Sequence, residues 1–238
     1  MCVCVCDHTQ LVGGVLVCLR HITFDFQGEG CNFVGEKLHV SPDQRRRTVS
    51  NILQCIETID ALKTPAGGTM AQKTVVKSLL ELLQNVLVFL TYHLSLSGAS
   101  CVDARVDSRI LNVLVNNQPS VRGDRPNRSG FIQQKLTTLL RSIRESSTHI
   151  IRALVTANAI DPDSDIVGVL GKILPTNGDM VVPLLIAYCS SVERKTELGN
   201  SPCIMKFVCD MFQYRIPQMA MLPWLQLLHL MCEDHPHN

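Results

Sequence analysis

Cys2, Cys4, Cys6 and His8 have the residue types to hold a metal, since thiolates and imidazole are good zinc ligands. Their every-second-residue spacing gathers the side chains on one face only of an extended segment, and it lacks the two-to-four-residue gap of a zinc knuckle. A terminal segment without a structural metal is the expectation. The same cysteines are candidates for a thioester-linked lipid, but position two is Cys2 rather than the glycine that N-myristoylation requires, so no companion acyl signal supports them. Asp161, Asp163 and Asp165 look like the start of a calcium loop. The glycine and distal glutamate of such a loop are missing, and helix capping is the expected role. The sequence has no G-x-S-x-G, H-E-x-x-H, G-x-G-x-x-G or G-x-x-x-x-G-K-[ST] pattern. Eight histidines are scattered and single out no Cys–His pair. His93 and His229 fall in apolar helical segments, where a structural role is expected. Neither a catalytic residue nor a cofactor is expected.

The strongest local charge pattern is basic. Arg122, Arg125, Arg128, Lys135, Arg141 and Arg144, followed by Arg152, are opposed only by Asp124 and Glu145. Such a cluster suits an acidic protein surface or nucleic-acid phosphates. It carries no interleaved aromatics for base stacking, so a protein partner is the first expectation and nucleic acid the alternative. Arg45-Arg46-Arg47 precedes Thr48, making Thr48 a candidate phosphosite near a helix start, where arginines and the helix dipole favour phosphate. Arg122-Gly123-Asp124 has the look of an adhesive tripeptide; in an intracellular linker it is coincidence.

Helices must position these residues. Ser41-Pro42-Asp43-Gln44, Asp161-Pro162-Asp163 and Ser201-Pro202 each combine a capping side chain with proline at the first helical position, ahead of apolar residues at helical spacing. From Ser41, Val49, Ile52, Leu53, Ile56, Ile59 and Leu62 form one face, and Thr64-Pro65-Ala66-Gly67-Gly68 then breaks the helix. A wide stripe from Val75 to Leu90 predicts a central helix over about 70–96, followed by a shorter one over about 102–116. Beyond the linker, a long helix carries Ile132, Leu136, Leu139, Leu140, Ile143, Ile150, Ile151, Leu154 and Val155, with Ser146-Ser147-Thr148 as a candidate kink. Shorter helices are expected over about 163–174, 179–192, 201–214 and 217–232.

Composition agrees. Of 238 residues 46% are hydrophobic and only 5% aromatic, with Leu, Val and Ile dominant, which favours ridge-packed helices in an all-α fold. The formal net charge of +1 gives no global pull toward nucleic acid or membrane. Eleven cysteines, an odd number, argue against a closed disulfide framework. Cys55, Cys189, Cys203 and Cys209 lie in apolar helical stripes as small hydrophobes, and the short apolar run Leu11–Leu19 lacks the basic start of a signal peptide. A reducing intracellular compartment is expected. The stretch Val75–Leu96 is long enough to span a bilayer but contains Lys77, Glu81, Gln84, Asn85 and His93, so no transmembrane span is expected.

The chain divides into an irregular N-terminal segment with a short helix (1–40), a helical block (41–116), a basic linker (117–130) and a second block (131–238) stacking on the first. The helix starts at Asp161 and Ser201 lie forty residues apart. In that spacing the chain resembles armadillo and HEAT-type units, whose period is roughly 40 to 47 residues. The resemblance implies a right-handed solenoid of about eight or nine helices acting as a protein-binding scaffold without catalysis. The chain enters apolar sequence almost at once and stops soon after the stretch Trp224–Met231, so it is expected to be a segment of a longer helical-repeat protein.

Overall fold

The computed structural model describes residues 42–62, 70–97, 105–118, 131–213 and 218–233; every regular element among them is an α-helix. In chain order these are α1 (Pro42–Leu62), α2 (Met70–Ser97), α3 (Val106–Asn116), α4 (Phe131–Thr156), α5 (Ile166–Tyr188), α6 (Val192–Gly199), α7 (Pro202–Gln213) and α8 (Gln218–Cys232). The fold is all-α. Cys2, Cys4, Cys6, His8, Ser41 and the linker arginines Arg122, Arg125 and Arg128 lie outside the described residues.

The apolar stripes form the core. On α1, Val49, Ile52, Leu53, Ile56 and Ile59 are buried, while Asn51, Gln54, Cys55, Glu57 and Thr58 face out. The wider stripe of α2 buries Leu79, Leu80, Leu82, Leu83, Val86, Leu87 and Leu90, which lets it pack on both α1 and α4. Gln84 Nε2 donates to Ser142 Oγ at 2.6 Å across the second of these contacts. Helix α3 is tied to α1 by a forked pair, Arg109 Nε and Nη2 donating to Glu57 Oε1 and Oε2 at 2.6 and 2.8 Å.

The substantial contacts among the described residues all join helices within three places of one another in the chain. Helix α1 packs on α2 and α3, α2 on α4, α3 on α4 and α5, and α4 on α5. Helix α5 packs on α6, α7 and α8, and α6 on α7 and α8. Helix α5 is also long and apolar enough to cross a membrane by length and composition; half of its most apolar window is buried in this fold.

Several expectations need correction. The helix anticipated from Asp161 starts at Ile166: Asp165 is the cap, its Oδ1 accepting from Gly168 N at 3.0 Å. Asp161 shapes the preceding turn, with its carbonyl accepting from Ser164 N and its Oδ1 from Asp163 N at 3.0 Å each. The break expected between the helices over about 163–174 and 179–192 is present: α5 is two helical stretches joined at a non-helical Asn177 (φ −141°, ψ 39°). Pro175, two residues earlier, has no N–H and its ring opposes the carbonyl of Gly171. Helix α6 was not anticipated; Ser191 caps it, accepting from Arg194 N at 3.4 Å. Helix α4 runs without a break through Ser146, Ser147 and Thr148. Helix α7 begins at Pro202 as expected, and Ser201 O accepts from Met205 N at 3.0 Å.

Candidate partner-binding surface

Helix α4 divides the basic candidates by its own geometry. Steps of three and four align Gln134, Thr138, Arg141, Glu145, His149 and Arg152 on one ridge, and all six are exposed. Lys135, beside the ridge, is exposed too. Arg141 Nε meets Glu145 Oε1 at 2.8 Å, with 70% and 52% of the two side chains exposed. So open a pair adds little stability, but it offsets part of the local positive charge.

Arg144 leaves this surface. It is 9% exposed, and its Nη1 donates to the Asn117 carbonyl at 3.2 Å, while its Nε has no hydrogen-bond partner among the described residues. Desolvation holds its pKa below the ordinary arginine value; Asp179 and Glu145 pull the other way, and Arg141 adds to the lowering. The signal was present in the sequence: Arg144 shares a stripe with Leu140, Ser147 and Ile151, at −4, +3 and +7. Thr48 lies in α1, but its side chain is outside the described ones; nearby, the exposed Arg46 pairs loosely with Asp43 at 3.9 Å.

Around Arg144 a polar seam fastens four helices. Asn117 Nδ2 donates to Val113 O at 2.7 Å and Asp60 Oδ1 at 3.2 Å, Gln118 Nε2 donates to Leu114 O at 2.6 Å, and Asn177 Nδ2 donates to Gln118 Oε1. The non-helical Asn177 of α5 thus meets the end of α3. Ser147 Oγ and Thr148 Oγ1 are buried nearby on α4 without a hydrogen-bond partner among the described residues.

Two further clusters are clamps. Tyr188 OH donates to Glu197 Oε2 at 2.7 Å, and Arg194 lies 4.9 Å over the Tyr188 ring while donating to Asn158 Oδ1 at 2.6 Å and Ser190 Oγ at 3.0 Å. Burial foremost, and the Glu197 bond next, raise the Tyr188 pKa well above its ordinary value. At the other end of α3, the buried Asp107 accepts from Asp161 N at 3.3 Å, and Arg105 Nε lies 3.3 Å from Asp161 Oδ2. Of the three aspartates expected to cap a helix, Asp165 does so, Asp161 makes a turn and an ion pair, and Asp163 contributes its backbone N–H to that turn. No group of three His, Cys, Asp or Glu among the described residues is arranged to hold a metal ion.

Cysteine and histidine placements also differ from expectation. Cys189 is buried, and desolvation, opposed by Lys195, pushes its thiol up to about 11. Cys55, Cys203 and Cys209 are exposed instead of buried, because each falls just outside its helix's inward arc. His229 is exposed as well. It belongs to a surface that no sequence motif marks, the outer face of α8, where Met221, Leu222 and Leu225 are 43%, 76% and 52% exposed. The absence of any Asp, Glu, Lys or Arg from Gln218–Cys232 was its signal.

No protein-family model matches the sequence, and comparison with curated proteins and with solved structures finds no match either.

Proposed function

We propose that the chain is a non-enzymatic, intracellular protein-binding scaffold built as an armadillo- or HEAT-like solenoid. One observation supports this: substantial packing among the described residues joins only helices within three places of one another in the chain, which we read as two rows. Helices α1, α3, α5 and α7 touch in succession, and α2 with α4, and α6 with α8, lie in the other row. Contacts of α1 with α2, α3 with α4, α4 with α5, α5 with α6, α6 with α7 and α5 with α8 join the rows, while α4 with α6 and α7 with α8 make no packing of comparable extent. Helix pairs that touch only near neighbours are the mark of a quasi-one-dimensional fold. Pairs start at Pro42, Val106, Ile166 and Pro202, so only the last step approaches the roughly 40-residue unit. The earlier steps are stretched by the 28-residue α2 and the 26-residue α4. Five described cysteines carry free thiols, which suits a reducing compartment.

The partner surface in this proposal is the exposed ridge of α4. Lys135, Arg141 and Arg152 outweigh Glu145 there and favour an acidic protein surface. With Arg144 turned inward, Arg141 paired and no aromatic residue on the ridge, the support for nucleic acid is weaker. Affinity capture with mass spectrometry, comparing wild type with a Lys135→Glu/Arg152→Glu variant, tests the proposal. The expected result is a protein set recovered by the wild type and lost with the folded variant. The same set on both, or capture abolished by nuclease, contradicts it.

A further inference from the structure

Five hydroxyls in the chain have an arginine three residues before them: Thr23, Thr48, Ser50, Ser108 and Ser147. That spacing suits an arginine-directed kinase, whose acidic substrate groove takes up guanidinium forks. Ser50 alone has a second arginine two residues further back, with Arg45 at −5 and Arg47 at −3. The fold separates the candidates again. Ser147 is fully buried, and Ser108 is half-buried with its Oγ donating to Ser164 Oγ at 3.3 Å. Thr23 and the Thr48 side chain lie outside the described ones. Ser50 faces out on α1, directly after the buried Val49. Its neighbours suit a phosphate. Arg46 and Arg47, four and three residues back, share its turn of helix and are both exposed. Arg46 is engaged by Asp43 at 3.9 Å, with 56% and 80% of the two side chains exposed, a pair too open to hold it. The other nearby acid, Glu57, is two turns on and occupied by Arg109.

We propose that Ser50 is a phosphorylation site, modified by an arginine-directed serine/threonine kinase with MgATP as the donor. Ser50 Oγ attacks the γ-phosphorus: the Oγ–P bond forms, the bond from that phosphorus to the β,γ-bridging oxygen breaks, and ADP leaves. The hydroxyl proton passes to a carboxylate of the kinase. A kinase binds its substrate segment extended, so the first turns of α1 open for the reaction. Up to Ser50 the described side chains of Asp43, Arg46 and Arg47 are exposed, and Val49 is the one among them that is buried, so this opening uncovers little of the core. On reclosing, the phosphate accepts charge-assisted hydrogen bonds from Arg46 and Arg47 and reverses the charge of a cation-rich turn. The site stands on α1 alone and is independent of the scaffold proposal; either can fail without the other.

The test incubates the folded full chain with MgATP and the catalytic domain of a kinase that selects arginine at −5 and −3, and maps the product by mass spectrometry. A synthetic peptide of residues 41–54 in a parallel tube shows that the kinase is active. The expected result is phosphate on Ser50 of the folded chain. Ser50→Ala abolishes that uptake and Thr48→Ala leaves it unchanged, both with the circular dichroism of the wild type. Arg47→Ala slows it by about tenfold or more, as loss of a charge-assisted contact to the kinase requires. A folded chain that takes up no phosphate while the peptide does overturns the proposal. Phosphate mapped to Thr48 or another hydroxyl with Ser50 unmodified, or wild-type uptake by Ser50→Ala, overturns it as well.

Discussion

Arg144 and Arg152 look equivalent along the chain and are opposites in the fold. Reversing the charge at Arg144 places a carboxylate among buried groups, facing the Asn117 carbonyl. An unpaired buried charge costs about 3 kcal/mol or more, so Arg144→Glu should lower the melting temperature by roughly 10 °C, whereas the exposed Arg152→Glu should leave it nearly unchanged. Thermal denaturation of the two variants reads this directly. Cys189 and Tyr188 make a second prediction. Both have raised pKa values, mainly by desolvation, so the fold holds their protons where the unfolded chain releases them. Their contribution is therefore fully present below about pH 9 and lost as pH rises toward and beyond 11. Melting temperature should fall over that window, and Cys189→Ala should flatten the first part of the slope. Residue-scale chemistry was only half legible in the sequence. Charge and residue type are readable, but the inward turn of Arg144 depends on where one helical stripe ends, and the exposure of His229 on which side of α8 finds a neighbour.

At the scale of elements, helix starts were the most readable feature where proline followed a cap. Pro42 and Pro202 open α1 and α7 as their sequences imply. Asp161-Pro162-Asp163 has the same composition and forms a turn, because Asp165 competes for the capping role and wins by reaching Gly168 N. Local propensity cannot rank two aspartates four residues apart; the contacts of Asp161 with Asp107 and Arg105 do. Helix α5 breaks at Asn177, between the two helices that the sequence already separates at Leu174 and Asp179; the hold of Gln118 on Asn177 from the end of α3 is what a local reading could not supply. The contact between α5 and α7 rests on a close approach at Gly171. A Cβ there would lie 2.9 Å from Cys203 Cβ and 3.5 Å from Ile204 Cγ1. Gly171→Ala gains about 1 kcal/mol of helix propensity but loses about 1–3 kcal/mol to overpacking. The substitution should lower the melting temperature, and Cys203→Gly in the same chain should restore part of the loss. A Gly171→Ala protein more stable than wild type would show that α7 shifts freely.

At the scale of the whole molecule, the all-α class followed from apolar periodicity and scarce aromatics. The order of packing did not, since the forty-residue spacing was counted from Asp161, which lies in a turn, whereas α5 starts at Ile166 and α7 at Pro202. Packing confined to near neighbours has a consequence for cooperativity: damage at one end should loosen that end first. Leu53 on α1 and Ile204 on α7 are both fully buried, and truncating either to alanine costs about 2–5 kcal/mol. Native-state hydrogen exchange on Leu53→Ala and Ile204→Ala is the most direct test of the two-row scaffold. In Leu53→Ala the amides of α1 to α3 should exchange faster while those of α7 and α8 keep wild-type protection, and Ile204→Ala should give the converse. Equal acceleration through all eight helices in both variants would mean a single globular unit and contradict the solenoid.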